Sequence, residues 1–336
     1  MARAITYAGS MPTPELTPPD QQLSWRAITD ADIDGWEALL RRMAGEDKPD
    51  WIEQRADLEE VLHASKNNPA LDTVMGFDTA GIPRAFGRIS ANAGSSLAHA
   101  FGGVDPAWRR RGIGRAVHEW QIERTRRRFA DAGITGGVVR TYVEESNTGH
   151  QALMTAAGNT IVRWFTEMTR GLAADIPEVE LDPEFEIATF SDDLSEAVRL
   201  AHNEAFQDHW GSEPRDEESW HYTVTHPEFR PDWSLAVIDS SSDEVAAYQI
   251  ASYDPESREL VGHSEGYTDL LGVRRAWRGR RLAPALLTEA MRRFKADGME
   301  NAGLGVDTEN PSGALGLYER LGYTPTRRSM AFERSL

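Results

Sequence analysis

The sequence predicts a mixed α/β fold in which one α/β unit occurs twice. Three observations carry this: the length, an arginine-rich turn that recurs, and the alternation of short apolar strands with amphipathic helices. At 336 residues the chain is long enough for two domains, each with its own core. Gly103 to Gly114 has the layout of Gly272 to Ala283, with Val104, Trp108, Arg109 and Gly114 matching Val273, Trp277, Arg278 and Ala283. Further on, Arg128-Phe129 and Ala132-Gly133 match Arg293-Phe294 and Asp297-Gly298 once four residues are dropped. Four residues are about one helical turn, so the first helix is a turn longer with its buried face preserved.

In chain order, residues 1–22 are polar and proline-rich, lack the apolar run of a secretory signal, and read as a flexible tail. Residues 23–172 form the first domain. A strand near Leu23 to Ile28 leads to a helix capped by Asp30, with Trp36, Leu39, Leu40 and Met43 on one face. A second helix is expected from Trp51 to His63. Strands follow at Thr73 to Phe77, Pro83 to Ala91 and Leu97 to Val104. The helix from Ile113 to Ala132 buries Val117, Trp120, Ile122 and Phe129, while Arg124 and Arg126 to Arg128 read as a solvated face complementing the helix dipole. Val138 to Val143, a helix around His150 to Ala157 and a strand from Thr160 to Thr169 complete the domain.

Residues 173–183 carry two prolines and several acids and read as a linker. Residues 184–336 form the second domain. Phe185 to Phe190 is a strand, and Ser191 caps a helix carrying Val198, Leu200, Ala201 and Phe206. It ends at Asp208-His209-Trp210-Gly211, and Trp220, His221 and Tyr222 lie on the next helix. A hairpin spans Ser234 to Ile238 and Val245 to Ser252. Tyr267 to Val273 is a strand. Pro284 marks the first turn of a helix with Leu286, Leu287, Ala290, Met291 and Phe294 at helical spacing. Leu304 to Asp307 is a strand, Ala314 to Leu321 a short helix, and Ser329 to Glu333 a closing strand.

Composition narrows the function classes. No apolar run approaches the roughly 20 residues that cross a bilayer. Without cysteine there is no disulfide, thiolate nucleophile or cysteine metal site, and no metal is expected. A formal charge of −18 disfavours nucleic acid and anionic membranes and suits a cationic acceptor such as an amine.

A turn that feeds a helix presents unpaired N–H groups and the positive end of the helix dipole, which suits a diphosphate, and flanking arginines strengthen that reading. Two features lie beside the second turn: Asn310 in a turn after the Leu304 strand, and the run Ala314-Leu315-Gly316-Leu317-Tyr318-Glu319-Arg320-Leu321-Gly322-Tyr323. With the Arg-x-x-Gly/Arg-x-Gly/Ala loops, these resemble the GCN5-related N-acetyltransferase (GNAT) superfamily in its two-domain form. The resemblance covers most of both halves.

That resemblance implies a tandem GNAT fold, acetyl-CoA as co-substrate, and transfer of an acetyl group to a primary amine of a small molecule. It implies a splayed central strand whose Leu271, Gly272 and Val273 hold the pantetheine arm, with Arg278, Gly279, Arg280, Arg281, Leu282 and Ala283 on the diphosphate. Asn310 shapes the cofactor wall or caps the short helix. Tyr318 is the expected general acid. The family's frequent glutamate base is replaced by Tyr267, and alternation puts Glu265 and Asp269 on the same strand face as alternative bases. His209, Trp210 and His221 occupy the usual place of the acceptor pocket, with buried structural aromatics as the other reading.

In the first half Val104, Arg109, Arg110, Arg111, Gly112, Ile113 and Gly114 form the equivalent cofactor turn, but Met154 stands where Tyr318 stands in the second. In the second half Arg281 stands in place of a glycine, and helical backbone there would still supply an N–H. The second domain is therefore expected to be catalytic, the first a cofactor-binding or structural partner, and the protein a cytoplasmic monomer or homodimer. A non-catalytic acyl-CoA-binding or sensing protein, or a protein-lysine acetyltransferase, would share these motifs.

Overall fold

The computed structural model describes residues 23–49, 51–207, 209–309 and 313–336; the N-terminal tail and Asn310 lie outside the described residues. In the first half the elements run β1 (Ser24–Arg26), α1 (Ile33–Asp47), α2 (Arg55–His63), α3 (Pro69–Asp72), β2 (Thr73–Phe77), β3 (Pro83–Ser90), β4 (Leu97–Val104), α4 (Ile113–Asp131), β5 (Val138–Glu144), α5 (Thr148–Ala156) and β6 (Thr160–Gly171). The second half follows the same plan, except that its third helix comes after the hairpin and not before it: β7 (Phe185–Thr189), α6 (Asp192–Ala205), α7 (Glu217–Thr225), β8 (Leu235–Asp239), β9 (Glu244–Ser252), α8 (Ser257–Val261), β10 (Glu265–Val273), α9 (Leu282–Ala296), β11 (Asn301–Asp307), α10 (Ala314–Arg320) and β12 (Thr324–Ser335).

All strands belong to one 12-stranded sheet, ordered β1-β2-β3-β4-β5-β12-β6-β11-β10-β9-β8-β7. The middle of that order corrects an expectation. The strand ending the first half does not close the first half: β6 lies antiparallel to β11 and β12, both from the second half. Conversely β12 pairs with β5 and β6, both from the first. The halves exchange their last strands.

Helices α4 and α9 cover one face of the sheet. The expected Val117, Trp120, Ile122 and Phe129 are buried on α4, as are Leu286, Leu287, Ala290, Met291 and Phe294 on α9. The basic end of α4 differs from expectation. Arg124 and Arg128 turn inward and grip Asp72 at 2.8 and 2.7 Å, because α3 places that carboxylate under the helix. Only Arg126 and Arg127 keep to the solvated face. At the first helix the cap is a reciprocal Thr29–Asp32 pair rather than Asp30, which instead meets His63 at 2.8 Å. Of the apolar residues carried by α6, Leu200 points to solvent.

Candidate active site

The arginine turns have the same backbone in both halves, with the glycine placed differently. Left-handed φ occurs at Arg110 (64°) and Gly112 (85°) in the first, and at Gly279 (80°) and Arg281 (60°) in the second. Each turn thus needs two left-handed residues and spends a glycine on only one, so an arginine adopts the disfavoured conformation at a cost of about 1 kcal/mol. Arg281 is therefore not helical, as expected from sequence, but is the residue before the helix. Its carbonyl accepts from the Ala285 N–H at 3.2 Å, which leaves the N–H groups of Leu282 and Ala283 at the open helix end.

Two arginine side chains of the second turn, those of Arg278 and Arg280, are held by protein groups. Arg278 donates to the carbonyls of Val273 (3.3 Å) and Ala205 (3.2 Å), and Arg280 pairs with Asp182 (2.9 Å) and Glu184. In the first turn Arg109 donates to the Val104 carbonyl at 3.1 Å and forms a two-pronged pair with Asp47 at 2.6 and 2.7 Å. An anion at the first turn would compete with a carboxylate already in place.

The central strand splays as expected. β10 pairs with the parallel β11 from Glu265↔Asn301 to Thr268↔Leu304 and no further, while β9 follows it to Val273. The β9 register slips between Thr268 and Leu270, so Asp269 is the bulged residue at the mouth of the opening. Beyond it, no strand among the described residues flanks Leu271, Gly272 and Val273 on the β11 side. The first half splays after His99↔Arg140 without a bulge.

On the face opposite α9 the bulge opens into a cavity of about 520 Å³. Glu265, Tyr267 and Asp269 line it from β10, as their alternation predicts, and Glu167 and Thr169 enter from β6. Ser252, Asp254, His263 and Glu228 complete one side, while Trp51, from the α1–α2 loop, and Arg327, at the start of β12, close another. First-half residues thus build part of the second half's cavity.

The floor depends on two glycines of β11. A Cβ at Gly303 would lie 2.2 Å from a Glu265 carboxylate oxygen, and one at Gly305 would lie 2.8 Å from Glu167 and 3.1 Å from the Tyr267 hydroxyl. Into that space Tyr267 donates to Glu167 at 2.7 Å, and Glu265 accepts from Thr169 at 2.6 Å with His263 at 3.3 Å. The carboxylate missing at position 267 is therefore replaced by one reaching across from β6.

Asp269 opens onto the cavity yet is ringed by protein, and loss of surrounding water raises its carboxyl to about 6 even though it accepts from Ser252 at 3.0 Å. Burial, with Asp254 alongside, raises Glu228 to about 7. Burial also pushes Asp254 up.

Tyr318 does not line this cavity. It lies on the α9 face, buried with Leu282, Met168 and Leu304, its ring edge-on to Tyr323 at 6.1 Å between centroids. Burial holds its phenol at about 12, so it is protonated at neutral pH.

His209 and Trp210, expected at the acceptor pocket, are elsewhere, and neither they nor His221 line the cavity. Trp210 lies under Arg140, 3.7 Å from guanidinium carbon to ring centre, and beside Phe165. Arg140 pairs with Glu333 at 2.6 Å. Because β5 stands in the first half where β11 stands in the second, this stack fills the face that is hollow in the second half. Trp51 and Trp210 thus have matched positions: each leaves the loop after its half's first long helix and reaches the other half's sheet. Glu167, Glu228 and Asp254 were not singled out from sequence.

Residues 195–323 match the model of the Acetyltransferase (GNAT) family. A mycothiol acetyltransferase of Gordonia bronchialis is 27% identical over 260 residues, covering 74% of this chain and 77% of that one. Another, of Thermobifida fusca, is 28% identical over 233 residues, covering 66% and 69%. Among solved structures, a GCN5-related N-acetyltransferase from Sphaerobacter thermophilus superposes with a TM-score of 0.71 at 23% identity, covering 94% of this chain and 96% of that one. A tandem GNAT protein from the clavulanic acid biosynthesis pathway gives 0.70 at 16% identity, covering 93% and 98%. The chain is an acyltransferase whose residues 195–323 match the GNAT family and whose fold is that of tandem GNAT proteins.

Proposed function

We propose that the second half transfers an acetyl group from acetyl-CoA to a primary amine of a small molecule, with the amine bound in the acid-lined cavity. The observation that carries this reading is that the cavity meets the sheet at Asp269, where β10 parts from β11. An acceptor held among the carboxylates would there face the end of a pantetheine arm lying along Leu271 to Val273. Acetyl-CoA, the family's co-substrate, supplies the thioester.

The chain's residues divide the remaining work. N–H groups from Gly279 to Ala283 take the diphosphate, and free backbone groups past the bulge polarise the carbonyl. An alkylammonium loses its proton near ~10.4, so the nucleophile must be deprotonated in place. Asp269, raised to about 6, is a better base than an ordinary carboxylate and stands nearest the opening, with Glu265 two turns of the pleat away on the same face. As the nitrogen–carbonyl bond forms and the carbon–sulfur bond breaks, Tyr318 donates its proton toward the departing sulfur. The first half, with Met154 in the tyrosine position, Arg109 committed to Asp47 and Trp210 over its sheet, is a structural partner.

Trp51 and Arg327 wall one side of the cavity, which favours a small acceptor over a protein lysine. Release of free CoA from acetyl-CoA, measured across a panel of small amines, tests the reading. It predicts thiol release that depends on both amine and enzyme; acetyl-CoA binding without acceptor-dependent release would refute it.

A further inference from the structure

Among the described residues, each hydroxyl that lines the cavity has its proton committed within the protein. Tyr267 donates to Glu167 at 2.7 Å, Thr169 to Glu265 at 2.6 Å, Ser252 to Asp269 at 3.0 Å, and Thr326 to the Glu167 carbonyl at 3.1 Å. A hydroxyl whose one proton is spent offers a ligand its lone pairs.

Of the four, Tyr267 stands where the reaction takes place. The β10–β11 ladder ends at Thr268↔Leu304, and a Cβ on Gly305, the next residue of β11, would lie 3.1 Å from the Tyr267 hydroxyl. The ring therefore leans from β10 across β11, passing 2.9 Å from the Cβ position of Gly303, and carries its hydroxyl to the β11 side of the gap between the parting strands. Asp269, the bulged residue, stands on the β10 side of the same gap. An amine brought to the end of the pantetheine arm thus meets an acceptor on either side.

The group that aims Tyr267 comes from the first half. Glu167 on β6 pairs with Gly305 in register, and the absent side chain there leaves room for carboxylate and phenol together. A phenol free of such a partner turns its proton and donates as readily as it accepts. One tied to a carboxylate presents its oxygen.

An amine attacking a carbonyl turns its lone pair to the carbon and its other three bonds away. In a primary amine two of those three are N–H bonds, one for each side of the gap; a secondary amine sets a carbon against one side. We propose that Tyr267, its proton fixed by Glu167 of the first half, accepts an N–H of the attacking amine opposite Asp269 and so selects primary over secondary amines. Tyr267 touches the acceptor, and Glu167 is a positioning residue acting through it. This deepens the acetyl-transfer reading and rests on it: the tyrosine that replaces the family's glutamate gains a binding task, and the first half gains a part in the specificity of the second.

The test measures thiol release from acetyl-CoA with butylamine, benzylamine and 2-aminoethanol, each beside its N-methyl derivative. One such hydrogen bond corresponds to about tenfold, so the best primary amine is expected to exceed its N-methyl partner by at least that factor in kcat/KM. Tyr267→Phe keeps the ring and is expected to shrink the ratio about tenfold, with the KM for acetyl-CoA unchanged. Glu167→Leu should shrink it in the same direction, and the double variant should be no worse than Tyr267→Phe alone, since the two act as one unit. Glu167→Gln, whose amide oxygen still accepts the phenol proton, should keep the ratio. A merely structural Glu167 would lower the melting temperature of its variants without moving the ratio.

A ratio that Tyr267→Phe leaves unchanged overturns the inference with acetyl transfer intact. So does a Glu167→Leu effect that adds to that of Tyr267→Phe. Absence of amine-dependent thiol release from the unaltered enzyme overturns both.

Discussion

At the scale of single residues, Tyr318 and Asp269 have opposite tasks: burial prepares the phenol, while Asp269 opens to solvent and owes its raised carboxyl to the protein walls around it. The Tyr318 phenol, pushed to about 12, holds its proton across the working range. Tyr318→Phe is expected to lower kcat by about 100-fold or more with little change in the KM for acetyl-CoA, as loss of a positioned proton donor does. Asp269 gives the pH prediction. Its raised carboxyl, facing Ser252, Arg215 and His226, must be ionised to take a proton, so kcat/KM should climb with pH through about 6. That acid limb should vanish in Asp269→Asn. Arg281→Gly belongs at this scale too: relieving the left-handed arginine should raise stability by about 1 kcal/mol, measured by denaturant unfolding. The second turn's arginines, the tyrosine and the strand-face acids were all legible in the sequence because local motif and alternation place them. Glu228 and Asp254 were not, since they lie in loops without periodicity and reach the cavity only through the tertiary fold.

At the scale of elements, the bulged β10 and the glycine-bearing β11 together make the cavity. The strands themselves were legible from their apolar runs, and β2 and β4 have the expected bounds; the bulge was legible only as a property of the resembled family, because one slipped residue leaves no mark on composition. Gly303 is the sharpest probe. Its missing Cβ makes room for Glu265, so Gly303→Ala should push that carboxylate into the cavity and raise the KM for the amine while the KM for acetyl-CoA stays put. The raised Glu228 also links this element to stability. A carboxyl titrating at about 7 in the folded chain, against an ordinary value of 4.5, is bound by more protons folded than unfolded. Its contribution is thus fully present below about 4.5 and is lost as pH rises through about 7. The groups facing it are Asp254, Asp57, Asp269 and His226, of which only His226 opposes the shift. Thermal melts across this window should show a decline that Glu228→Gln flattens.

At the scale of the whole molecule, strand exchange decides what the halves can do alone. The repeat made two units legible, yet nothing in either strand's pattern tells whether it closes its own half or the other, since either partner would leave the same residues facing the same sides of the sheet. In the folded chain β12 has neighbours only from the first half and β6 only from the second. Residues 184–336 produced alone would leave β12 without a partner and the edge of β11 bare. They are expected to aggregate or melt without cooperativity, and mixing with residues 1–183 should restore a single transition. The exchange also explains why a half without the tyrosine is retained: it carries Glu167 and Trp51 into the other half's cavity.

The most direct test is a crystal structure with CoA and an amine acceptor bound. The account predicts a diphosphate on the N–H groups of Gly279 to Ala283, sulfur beside the Tyr318 hydroxyl, and the acceptor nitrogen near Asp269. CoA found only at the Arg109 turn, or sulfur out of reach of Tyr318, would contradict it.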